Sequence, residues 1–107
     1  MRRGDIFAAA PPGDYGKPRP VLIIQSDAYA ALPSVTVLPL TSGREDAPLL
    51  RVAIACEAGN GLRLPSQVMI DKPVTLPRSK IRQRIGALDA ATLRSVEAAL
   101  ARFLGLA

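Results

Sequence analysis

The stretch GKPRPVLIIQSD, Gly16 to Asp27, carries the reading of the fold. From Arg19 to Ser26 it is a continuous run of β-branched and leucine residues, the pattern of a strand buried on both faces. The residues before it form a basic loop, and Pro18 and Pro20 flank Arg19 at the strand's start. Proline locks its own φ and restricts the residue before it. The arginine is therefore fixed in direction at the lip of a core.

Outward from this strand, short strands recur. RGDIFAAA (Arg3 to Ala10) precedes it, separated by the Pro- and Gly-broken loop PPGDYGKP. SVTVLPLT (Ser34 to Thr41) follows a turn or short helical piece at DAYAALP, and Pro39 predicts an edge position or a bulge there. LLRVAIAC, LPSQVMID (Leu64 to Asp71) and IRQRIGAL (Ile81 to Leu88) read as further strands. EAGNG reads as a turn, since its glycines lack the spacing of a phosphate-binding loop. KPVTLPRSK, with two prolines, cannot be one regular element.

The chain ends differently. Asp89 is an N-cap, Gly105 a stop, and Leu93, Val96, Leu100, Phe103 and Leu104 share one helical face. Five or six strands and one amphipathic helix predict a small curved sheet or barrel covered by that helix. No linker or repeat divides residues 1–107, so a single domain is expected.

Composition narrows the chemistry. There is no histidine and one cysteine, Cys56, so the commonest general base and a structural zinc site are both excluded. Cys56 itself reads as a small buried residue of its strand. With no Trp, two Phe and two Tyr, a domain that stacks bases on several aromatic platforms is disfavoured. Fourteen Lys and Arg against nine Asp and Glu give +5, which biases encounters toward polyanions. No apolar run approaches the roughly 18 residues of a membrane span, and the N-terminal segment does not read as a signal peptide. A cytoplasmic protein is expected.

Arg19 and Lys17 together suit a phosphate: a planar fork beside a point charge. An arginine paired with Asp14 or a carbonyl, tying down its loop, stands level with that reading. Thr41 and Ser42 close a strand, where a hydroxyl can donate to phosphate or simply cap a turn. Asp71 and Lys72 can contact a ligand, although a surface ion pair is the commoner outcome. Arg78, Lys80, Arg82 and Arg84 form either a nucleic-acid footprint or a solvated face.

RGDIF (Arg3 to Phe7), RPVLIIQSD (Arg19 to Asp27), VTVLPLTS (Val35 to Ser42), SQVMID (Ser66 to Asp71) and IGALDAATLRSVEAAL (Ile85 to Leu100) occur in this order. Together they resemble the MazF/PemK-type toxins of bacterial toxin–antitoxin pairs. The resemblance implies a mainly β, SH3-like barrel of the CcdB/MazF type with a C-terminal helix, in a homodimer. It implies a metal-independent, sequence-specific endoribonuclease acting on single-stranded RNA, with no cofactor. The partner it implies is a MazE-like antitoxin, acidic and partly disordered.

The family's essential arginine falls on Arg19, its threonine on Thr41, and the acidic residue five positions before the arginine on Asp14. Lys17, Gly16, Gln25, Ser42, Asp71 and Lys72 are the expected RNA contacts. The implied reaction is attack of a ribose 2′-OH on its own phosphate, leaving a 5′-OH and a 2′,3′-cyclic phosphate or 3′-phosphate. Asp14 is a candidate to accept the proton, since a guanidinium is a poor base at neutral pH. The chain departs from many relatives at Ala8 to Ala10 and at Asp71 to Val74, so a cleavage motif does not carry over. A toxin of the same fold that binds a protein target such as DNA gyrase is the alternative. The R-P and P-L-T-S blocks stand against it.

Overall fold

The computed structural model describes residues 1–10 and 17–107. Among them the chain forms β1 (Asp5–Ala9), β2 (Arg19–Ile23), β3 (Ser34–Thr41), β4 (Arg51–Ile54), β5 (Ser66–Met69), β6 (Val74–Pro77), β7 (Ile81–Ala87) and α1 (Ala90–Leu104). All pairings are antiparallel. The order across the sheet is β4-β5-β3-β2-β1-β7, with β6 paired to β3. The sheet curves as a barrel does but stays open, because β4 and β7 do not pair. Register shifts on β7 opposite Ile6, Phe7 and Ala9 break the ladder where β1 meets it.

Burial on both faces of β2 is what the sheet requires. Val21 and Ile23 pack with Ala9, Val35, Val37 and Leu76 on one side. Leu22 packs on the other with Ile6, Leu38, Ile70, Val96 and Ala99. Each fully buried Val, Leu or Ile contributes roughly 1.5–3 kcal/mol of transfer free energy, so the central strands hold most of what stabilises so small a domain.

Three expectations are corrected. β3 is not an edge strand: it pairs with β2 along one side, and with β6 then β5 along the other. Pro39 sits where β6 has ended at Val37 and β5 has not begun until Leu40, so its missing N–H costs no ladder bond on that side. Among the described residues the strands number seven rather than five or six, because KPVTLPRSK, not one regular element as expected, still holds a four-residue strand, β6, before a 3₁₀ turn over Arg78–Lys80. Cys56 is exposed, because β4 ends at Ile54 and the chain turns away toward Asn60.

The helix begins as expected, with the Asp89 carboxylate accepting from the Thr92 N–H at 3.2 Å. It ends at Gly105, whose φ of 74° is left-handed. Val96 and Ala99 are buried against the core, and Arg3 reaches across to Glu97. Phe103 and Leu104 run past the sheet and are about half exposed.

Candidate active site

Arg19 opens β2 and Thr41 closes β3, and these strands pair antiparallel through Val21↔Pro39 and Leu22↔Leu38. Carried two residues further, that register sets Arg19 level with Thr41 at one end of the sheet. On the other side of β2, Ala9 faces Arg19 and Ala8 faces Pro20. An open groove of about 510 Å³ lies over this end, lined by Ala8, Arg19, Thr41, Ser42, Arg63, Gln83 and neighbouring residues. The small Ala8 side chain leaves depth between the two flanking strands.

The Thr41 hydroxyl accepts the Gly43 N–H at 3.1 Å. That bond is the turn chemistry of a strand end. It occupies an acceptor lone pair and leaves the hydroxyl proton available to donate into the groove. Ser66 also lines the groove, but its hydroxyl donates to the Leu64 carbonyl at 3.0 Å.

One wall of the groove is Gly61–Leu64, and Asn60 holds it. The Asn60 side chain is buried and donates to the Ala55 carbonyl at 2.8 Å while accepting from the N–H groups of Glu57 and Leu62. Gly61, at φ +67°, passes so close to β7 that a Cβ there would meet the Ile85 carbonyl oxygen at 2.1 Å. The turn read as EAGNG is therefore a docked brace, tied further by the Ala87 N–H donating to the Gly59 carbonyl at 3.0 Å.

The groove gathers Arg19, Thr41 and Ser42 of the expected residues. Lys17 is exposed two positions before β2 and does not line the groove. Asp14 and Gly16 lie outside the described residues. Gln25 lies six residues beyond Arg19, about 20 Å along an extended chain. Its carbonyl accepts from the Thr36 N–H and its amide donates to the Tyr29 carbonyl, so both ends brace the turn after β2.

Asp71 follows β5 and is held by Arg51 at 2.7 Å, with Lys72 at 4.0 Å. The Arg51 hydrogen bond keeps the Asp71 carboxyl below the ordinary aspartate pKa. Arg51 also pairs with Glu45 at 2.9 Å, and its side chain is nearly buried. This is the ion-pair outcome, away from the groove lining. The basic run divides likewise: Arg84 pairs with Asp5, Arg82 donates to the Ser79 carbonyl, and Arg78 donates to the carbonyls of Ala30 and Leu32.

Arg63 and Gln83 escaped the sequence reading. Neither sits in a recognisable block; the docking of the 59–61 turn on β7 and the pairing of β7 with β1 bring them into the same groove lining as Arg19. Among the described residues, no three His, Cys, Asp or Glu side chains gather as a metal would require. Among the described residues, no helix is long and apolar enough to cross a membrane.

Comparison with known proteins agrees with this architecture. A curated relative from Mycolicibacterium smegmatis, named a probable endoribonuclease MazF, is 51% identical over 108 residues, covering 100% of this chain and 99% of its own. The solved Mycobacterium tuberculosis toxin MazF-mt6 superposes with a TM-score of 0.82 at 30% identity, covering 96% of this chain and 98% of its own. An endoribonuclease from a mycobacterial species, solved in complex with its cognate antitoxin, gives 0.82 at 25% identity, with 100% and 97% covered. The sequence pattern of the PemK-like, MazF-like toxins matches residues 2–104. With that match across nearly its whole length, the chain belongs to the PemK-like, MazF-like toxins of type II toxin–antitoxin systems.

Proposed function

We propose that this MazF-type endoribonuclease binds single-stranded RNA along the Arg19–Thr41 groove and cleaves it at specific sequences without a metal. The observation that carries the reading is the placement of a guanidinium level with a hydroxyl donor at the open end of the sheet. In the proposed step the ribose 2′-oxygen bonds to the adjacent phosphorus as its proton leaves. The bond from phosphorus to the 5′-oxygen breaks, and that oxygen takes up a proton. The products are a 5′-OH end and a 2′,3′-cyclic phosphate, which water can open to a 3′-phosphate.

Arg19 stabilises charge developing on the non-bridging oxygens, and Thr41 donates to one of them. Removing one such fixed donor costs roughly 10²–10³ in kcat. Asp14, five residues before Arg19, is the proposed acceptor of the 2′-OH proton. Ser42 and Lys17 are proposed to extend the contact to flanking nucleotides.

The proposed regulator is an acidic, partly disordered antitoxin segment covering this groove, which suits the chain's +5 charge. A solved neighbour bound to its cognate antitoxin supports that partner class. Homodimerisation is proposed with it, since a 107-residue domain gains stability from association.

The test is to incubate the protein with a long mixed-sequence RNA in EDTA and map both the cuts and the end groups. Discrete cuts with 5′-OH ends, absent with Arg19→Ala, support the assignment. Cuts that require a divalent ion, or that leave 5′-phosphates, would overturn the chemistry.

A further inference from the structure

The groove is lined by two arginines, Arg19 from β2 and Arg63 from the wall before β5. Arg63 differs from the arginines that the fold ties to neighbouring groups. Arg3, Arg51 and Arg84 are spent on carboxylates, and Arg78 and Arg82 on backbone carbonyls. Arg63 makes no ion pair and no side-chain hydrogen bond among the described residues. Among the described residues, no carboxylate lines the groove.

Its backbone is nevertheless held in place. Leu62, directly before it, packs against the main core cluster, and the Leu62 N–H is bound by the buried Asn60 side chain at 3.1 Å. Gly61 is wedged against the Ile85 carbonyl. A cation on a braced segment, unpaired among the described residues and lining the same open groove as Arg19, is placed for an anion.

We propose that Arg63 binds a phosphate of the RNA strand flanking the scissile one, as a positioning residue that sets the track of the strand over Arg19 and Thr41. This rests on the RNA-cleaving reading of the groove. Arg63 takes no part in bond making. Its contribution is to binding and alignment, and a phosphate contact carries no base information.

The experiment uses the full chain and the cleaved sequence found by mapping, synthesised with a 2′-O-methyl group at the cut so that binding is measured without turnover. Affinity is followed against salt concentration for wild type, Arg63→Gln and Arg63→Lys. Loss of one phosphate contact on a single strand lowers the slope of log affinity against log salt by about 0.7. The expected result is that loss for Arg63→Gln, with the slope retained in Arg63→Lys. On cleavable RNA, Arg63→Gln is expected to raise KM several-fold, with kcat near wild type and the cut motif unchanged.

An unchanged slope in folded Arg63→Gln overturns the proposal. So does an altered cut motif at constant slope, which would make Arg63 a reader of bases. If wild-type protein neither binds nor cuts RNA, the functional reading of the groove fails and takes this contact with it. The wild-type control thus separates the two failures.

Discussion

Gly86 and Asn60 meet backbone to backbone: a Cβ added to Gly86 would lie 2.4 Å from both the carbonyl carbon and oxygen of Asn60. Neither atom belongs to a flexible side chain, so the contact cannot relax locally. It joins β7 to the turn that carries one wall of the groove. Gly86→Ala should therefore destabilise the protein by at least the roughly 1–3 kcal/mol typical of overpacking. A denaturant midpoint equal to wild type would show that the turn can lift off β7 without cost.

Asn60 fills that same turn from inside. Asn60→Ala strands the Ala55 carbonyl and the N–H groups of Glu57 and Leu62. These bonds are only part-buried, and each contributes about 0.5–1.5 kcal/mol net. The expected loss is of that order, with Asn60→Asp intermediate because it retains the acceptor. Thermal unfolding of the three proteins gives the ranking, and an Asp variant no better than Ala would contradict it.

Arg19→Ala should leave the unfolding curve close to wild type, since Arg19 is exposed at the end of β2. Cleavage should fall by at least 10²–10³. Arg19→Lys should recover little, because an ammonium cannot present two parallel donors to a phosphate. Recovery to near wild-type rates by lysine would mean that only the charge matters.

Thr41→Val keeps the side chain's shape and removes the hydroxyl, whereas Thr41→Ser keeps the hydroxyl. The first should lose roughly 10²-fold or more in kcat, and the second should stay within a small factor of wild type. The Gly43 N–H also loses its acceptor in Thr41→Val alone. Single-turnover rates on a mapped substrate make the comparison; equal rates for the two variants would remove the hydroxyl from the chemistry.

Asp71 gives a pH dependence of stability. Its folded pKa is held below the ordinary aspartate value of 3.8 by the Arg51 hydrogen bond. The unfolded chain therefore binds the proton more readily. The stabilisation is fully present above the ordinary value and is lost as pH falls below it through the folded value. Urea unfolding of wild type and Asp71→Asn should differ most near neutral pH and converge in acid. A gap that stays constant down to strongly acidic pH would assign the effect to something other than this carboxylate.

Much of the sheet was legible because its strands carry their own signals. Ser34 to Thr41 was bounded as it stands, and the run after Arg19 showed burial on both faces before Val21 and Leu22 were placed in separate clusters. Errors fell where a neighbour overrode the local pattern. Pro39 signals an edge only if one strand flanks it along its whole length, and here two strands share that side. Cys56 followed an apolar run, but the run outlasted the partner strand that would have covered it.

The candidate site divides in the same manner. The sequence alone determined that Arg19 is fixed at a strand start between two prolines, that Thr41 ends a strand, and that no histidine is available for proton transfer. These are properties of residue type and immediate neighbours. Tertiary structure alone decided that Arg19 and Thr41 are level, because antiparallel register relates positions 22 residues apart. It decided too that Asp71 is spent on Arg51 and Gln25 on a turn, while Arg63 faces the groove. A polar side chain binds whatever the fold brings within hydrogen-bond reach, and that partner is set by strand pairing rather than by the residues beside it in the chain.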